Sequence, residues 1–150
     1  MSTELIVRNN VLVQAPPARV WEVLVTPRYI RQWDELPEGF NDAVPLQPGT
    51  EMVWVHPNGQ RTTLTVTSLK PEKELILALD NSNWTVKPRP LEVAYTYTLS
   101  EQEGSTGLTL TIGDFSRIEH GDKYYEASLD FANKAMKKIK ALAEGKSLSQ

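Results

Sequence analysis

A chain of 150 residues, 40% apolar and 23% charged, has the length and composition of one soluble domain. Its net charge of -3 leaves no basic field to hold nucleic acid or an anionic membrane surface. With no cysteine, it forms no disulfide, thiolate metal site or cysteine nucleophile.

Residues 1–10 lack the basic start and long apolar run of a secretion signal. No stretch approaches the roughly 20 apolar residues of a membrane-spanning helix. The expectation is a cytoplasmic protein, residues 1–150 forming one domain, with no membrane insertion. Leu5, Val7, Val11 and Val13 alternate with polar residues, which predicts a half-buried strand over 5–14. Ala15-Pro16-Pro17 ends it, and Val20, Trp21, Val23 and Leu24 follow as a helix of about two turns. Thr26-Pro27 starts a second short helix, with Ile30 and Trp33 on its inner side. Residues 34–48 then read as a proline-rich loop, with a short strand near 42–46.

From residue 50 the pattern is a meander. Asn58-Gly59 is a strong hairpin signal. A two-residue turn there sets Val53 opposite Leu64, and the Lys70–Lys73 turn sets Val66 opposite Leu77 and Leu64 opposite Leu79. Val53, Val55, Leu64, Val66, Leu75, Leu77 and Leu79 then share one face, with Met52, Trp54 and His56 on the other. Residues 80–90 form a polar connection containing Trp84. Beyond it, pairing through Gly104 and Gly107 sets Tyr97 near Leu110 and Tyr95 near Ile112. Gly113 is placed at a bulge that turns Phe115 inward. Finally Tyr125, Leu129, Ala132, Met136, Ile139 and Ala143 recur at helical spacing over 122–143, widened by Tyr124, Phe131 and Ala135. Asp122 is the expected N-cap, with the lysines late and Gly145 as terminator. A sheet of this kind needs cover for its apolar face, and the long helix supplies it.

Residues 13–24, Val-Gln-Ala-Pro-Pro-Ala-Arg-Val-Trp-Glu-Val-Leu, followed by Thr26-Pro27 and Trp33, resemble the opening of START-like proteins. The nearest group is similar to relatives of the C-terminal domain of the activator of heat-shock protein ATPase. Pro71 with the strand after it, and the last helix after Phe115, fall where that family has them. Pro48-Gly49-Thr50-Glu51-Met52 departs from the glycine-rich strand start of closer relatives. The resemblance implies an α+β helix-grip fold: a curved antiparallel sheet of about six to seven strands around the C-terminal helix, often with a cavity between. Lipid and hormone carriers, polyketide cyclases and chaperone regulators all use it, so the fold alone assigns no activity.

On this architecture the candidate ligand-binding residues are Trp33, Leu77, Tyr95, Tyr97, Tyr125 and Leu129. Tyrosines there bring apolar bodies with hydroxyls that need partners, which suits a small apolar or amphipathic molecule. The competing reading is a filled core in which the rings pack together. No cofactor and no metal are expected: His56 and His120 are the only histidines, too few for a zinc or iron site, and both read as solvated loop residues. Asp34, Glu35, Glu38 and Asp42 cluster near the presumed cavity mouth and read as a solvated polar loop; buried, such acids do acid–base work. Met52 and Trp54, placed outward, are a candidate partner surface. Noncatalytic ligand binding is therefore the first expectation. A module regulating a heat-shock chaperone in stress response, or a homodimer surface, is the second, and an enzyme of cyclase or hydrolase type the third. The enzyme reading requires a buried carboxylate at Asp34 or Glu35 with a strongly raised pKa.

Overall fold

The computed structural model describes residues 4–37, 39, 40, 43–82, 84 and 93–145. Alternation of apolar and polar residues generates six strands: β1 (Val7–Val13), β2 (Glu51–Val55), β3 (Arg61–Lys70), β4 (Glu74–Asn81), β5 (Ala94–Gln102) and β6 (Ser105–Gly113). They form one curved antiparallel sheet in the order β1-β6-β5-β4-β3-β2. Helices α1 (Pro17–Val25) and α2 (Pro27–Trp33) connect β1 to the opposite edge, and α3 (Gly121–Ala143) closes the chain. Proline stands in the first turn of both short helices, where its missing N–H costs nothing. Thr26 occupies the N-cap of α2 without a side-chain bond. Residues 43–46 form no strand; instead the Leu46 N–H binds the Val25 carbonyl at 2.8 Å, tying the loop to α1.

The core lies between the sheet's concave face and α3. Val7, Leu108, Leu110, Ile112 and Phe115 meet Ala132, Ala135, Met136 and Ile139, all at most 1% exposed. Asn9 breaks the apolar row of β1, and Asn133 of α3 answers it: the Asn9 amide donates to its side-chain oxygen at 2.9 Å. Arg19 of α1 donates to the Leu142 carbonyl at 3.0 Å, and Lys140 to the Leu12 carbonyl at 2.6 Å. Both contacts fix the C-terminal half of α3 against the start of the chain.

Two registers match the sequence reading: β3 on β4, with Val66 opposite Leu77 and Leu64 opposite Leu79, and β5 on β6, with Tyr97 and Tyr95 opposite Leu110 and Ile112. Phe115 turns inward after Gly113 and is fully buried. One register differs. The β2–β3 connection is a three-residue turn over Pro57, Asn58 and Gly59: His56 and Gln60 pair, the Gly59 N–H binds the His56 carbonyl at 2.8 Å, and Gly59 takes φ +87°. The Asn58 side chain accepts the Gln60 N–H at 3.0 Å. Adding one residue to the turn moves the pairing by one, so Met52 faces Leu64 and Val53 faces Thr63. The whole strand is thereby inverted. Met52 and Trp54 point inward with Thr62, while Val55 is 65% exposed. Met52 and Trp54 are therefore not an outer surface.

The helix also starts differently. The N-cap is His120, in the left-handed region at φ +61° and without a side-chain bond, and Asp122 sits in the first turn. The apolar stripe over Ala132, Met136, Ile139 and Ala143 is buried as expected. The first half is rotated relative to that stripe. Tyr125 is only partly buried and Leu129 is 38% exposed, while Tyr124, Ser128 and Phe131 face the sheet.

Candidate functional site

A cavity of about 570 Å³ opens between the sheet, α2 and the first half of α3. That volume lies in the range of sites for small organic ligands. Strands supply its floor through alternation: Leu64, Leu75, Leu77, Leu79, Tyr95 and Tyr97 all stand on the concave face. Met52 and Trp54 join them from the inverted edge strand, and Tyr124, Ser128 and Phe131 form the roof. Trp33, the last residue of α2, closes one side; its indole N–H donates to the Val23 carbonyl at 3.0 Å and its ring meets Tyr97 edge-on at 6.1 Å. Trp84 closes another, edge-on to Tyr124 at 5.5 Å, and Tyr124 stacks on Phe115 at 5.9 Å. Tyr95 and Phe131 make a third edge contact, across the cavity at 5.8 Å.

Of the residues expected to line a cavity, Trp33, Leu77, Tyr95 and Tyr97 do so. Tyr125 and Leu129 do not. A helix of 3.6 residues per turn presents one face to the packed β1–β6 side and another, some tens of degrees away, to the cavity. The spacing Tyr124–Ser128–Phe131 carries the signal for the second face, obscured by the serine in its middle. Trp84 was legible only as an isolated aromatic in a polar connection. Glu38 and Asp42 lie outside the described residues, as do residues 85–92.

Polar groups within this apolar enclosure are few. Tyr97 is 2% exposed, and burial pushes its phenol well above the usual range, helped by the nearby Asp34 charge. Burial likewise pushes Tyr95 up to about 12, again with Asp34 adding to it, while the Ser128 hydroxyl draws it back. Both phenols are neutral donors at physiological pH. The Trp84 indole N–H, on a side chain 5% exposed, has no hydrogen-bond partner among the described residues. Leaving a buried donor unmet costs about 1–3 kcal/mol, and this one belongs to a residue of the cavity wall. At the edge, His56 Nε2 lies 2.8 Å from the Thr62 hydroxyl. His120 sits apart at the start of α3, and among the described residues no group of three or more His, Asp or Glu side chains is placed to hold a metal ion.

Asp34 departs most from expectation. It caps the C-terminus of α2, its N–H bound to the Ile30 carbonyl at 2.8 Å, and that position directs it into the cavity rather than into solvent. Burial raises its pKa to about 6; the Glu35 charge adds to the rise, and the Glu35 N–H and Lys138 oppose it. A carboxyl in this range exchanges protons at neutral pH. The folded chain holds this proton more tightly than the unfolded chain, whose value is 3.8. The contribution of Asp34 to stability is thus full below about pH 4, declines towards pH 6 and is gone above it. Asp34→Asn is expected to stabilise the protein by on the order of 1–3 kcal/mol at neutral pH and hardly at all at about pH 4. Urea midpoints measured at both pH values check this; equal shifts at the two would refute it.

The curved antiparallel sheet, the two short helices after β1 and the clasped C-terminal helix define a START-like, helix-grip domain. Within that class, residues 14–144 match the family described as activator of Hsp90 ATPase homolog 1-like protein, and the chain belongs to it. Solved structures agree on the fold. Protein MLL2253 from Mesorhizobium loti is 19% identical, with 95% of this chain and 99% of that one covered and a TM-score of 0.70. The Aha1 dimer from Colwellia psychrerythraea is 18% identical over 95% and 98%, with a TM-score of 0.65. DynU16, from the dynemicin biosynthetic locus, is 20% identical at a TM-score of 0.67; 96% of this chain aligns, spanning about half (49%) of DynU16. A search of curated proteins returns no significant match. Among the described residues no helix is long and apolar enough to cross a membrane.

Proposed function

We propose that the protein binds a small apolar or amphipathic molecule, without transforming it, in the cavity between sheet and α3. The observation that carries this reading is the cavity itself: about 570 Å³, walled mostly by apolar and aromatic side chains. Apolar burial, at about 25 cal/mol per Å², supplies affinity, and the few polar groups select orientation. Native mass spectrometry of the purified protein tests for a copurified ligand, and thermal shift against lipid and aromatic libraries tests for binding. Ala127 lines the cavity from an exposed helix position. Ala127→Trp is therefore expected to abolish ligand-induced shifts while changing the ligand-free stability by no more than about 1 kcal/mol. Undiminished shifts in that variant would move the site elsewhere.

The family match supports a second reading, regulation of a heat-shock ATPase in a stress response through an outer surface. Homodimerisation is a related reading, since the Colwellia relative is described as a dimer. Pull-down with a heat-shock ATPase separates these from the first reading. Trp54→Ala in that assay reports on the cavity, because Trp54 lines it; Val55→Ala, on the exposed side of the same strand, reports on the surface.

A further inference from the structure

Among the described residues the charged side chains lining the cavity are acidic: Asp34 and Glu35 line it with the His56 imidazole, and no lysine or arginine does. Among the described residues the cation acting on Asp34 is Lys138 of α3, an exposed residue that makes no ion pair with it. Tyr95 and Tyr97 face Asp34 from β5 as neutral phenols. An anionic headgroup entering here would meet the poorly solvated Asp34 carboxylate and, towards solvent, the exposed Glu35. A neutral one would leave Asp34 desolvated and unpaired. A cation offsets that desolvation directly, and Trp33, Tyr97 and Trp54, which line the same cavity, are the side-chain types that attract cations.

Building on the reading of the cavity as a ligand site, we infer that it selects an organic cation, an amine or quaternary ammonium carried on an aromatic or branched apolar body, with Asp34 as its counter-charge. The apolar remainder of such a molecule fills the space over Leu64, Leu77 and Leu79.

Three matched probes test this by calorimetry: 1-naphthylmethylamine, 1-naphthylmethanol and 1-naphthylacetate. At about pH 7.5 the amine is expected to bind about tenfold or more tightly than the alcohol, with the acetate weakest. Asp34→Asn should erase the preference for the amine, and near-ultraviolet circular dichroism of the variant checks that the aromatic wall of the cavity is intact. In the unmodified protein, lowering the pH to about 5 should shrink the same preference as Asp34 takes up its proton, the amine remaining charged throughout. His56→Gln, run alongside, excludes the imidazole that also lines the cavity as the source of the change. Alcohol or acetate binding as tightly as the amine would overturn the cation inference but leave the cavity reading standing. Failure of all three to bind would overturn both.

Discussion

Gly121→Ala is expected to destabilise the protein by at least about 2–3 kcal/mol, although alanine is the better helix former by about 1 kcal/mol. Gly121 is the first residue of α3, and its backbone torsions are ordinary for a helix. What forbids a side chain is proximity. The chain folds tightly between Phe115 and the helix, the Ile118 N–H binding the Phe115 carbonyl at 3.2 Å and the Gly121 N–H binding the Ile118 carbonyl at 3.0 Å. A Cβ on residue 121 would fall within the Phe115 carbonyl oxygen's own space, against backbone that has no rotamer with which to yield. Relief requires the first turn of α3 to lift. Phe115 is completely buried and stacked on Tyr124, which in turn meets Trp84, so that movement disturbs one wall of the cavity. Denaturant unfolding and near-ultraviolet circular dichroism measure the two consequences. Gly145→Ala is the comparison: φ is +78° there and nothing lies within reach of a Cβ, so only about 1 kcal/mol is expected to be lost. A Gly121→Ala protein as stable as its parent would show that the close approach does not exist.

Met52→Ala and Val55→Ala, three positions apart on one five-residue strand, are expected to differ by about 2 kcal/mol or more. Met52 is 4% exposed beside Leu64, and its truncation removes buried methylenes from the cavity floor, costing about 2–3 kcal/mol. Val55 is 65% exposed, and its truncation should stay within about 0.5 kcal/mol. The two-residue turn anticipated from Asn58-Gly59 predicts the reverse ranking. Chemical denaturation of the pair thus tests the strand's orientation, and with it the assignment of Met52 and Trp54 to the ligand cavity.

The site was less legible than the fold, and the residues show why. Leu75, Leu77, Tyr95 and Tyr97 sit in strands whose register is pinned on both sides, so their direction follows from alternation alone. Met52 and Trp54 sit in an edge strand paired on one side only, whose direction depends on a single turn. Proline, asparagine and glycine suit two-residue and three-residue turns alike, and the hydrogen bond between His56 and Gln60 decides between them. Tyr125 and Leu129 continue the helix periodicity faithfully, yet α3 changes neighbours midway: its second half packs on β1, β6 and α1, its first half roofs the cavity. Periodicity reports that a helix has an apolar side; it does not report which of two adjoining sides meets which neighbour.

Taken by itself, the sequence determined the α+β class, the single long terminal helix, the two proline-started short helices and the pairing of the central strands, because each follows from local spacing and turn chemistry. Only the tertiary structure decided that Asp34 enters the cavity, that Trp54 faces inward and that Gly121 must lack a side chain. Those three depend on what stands opposite a residue, and that is fixed by the meeting of segments distant along the chain rather than by any pattern within one of them.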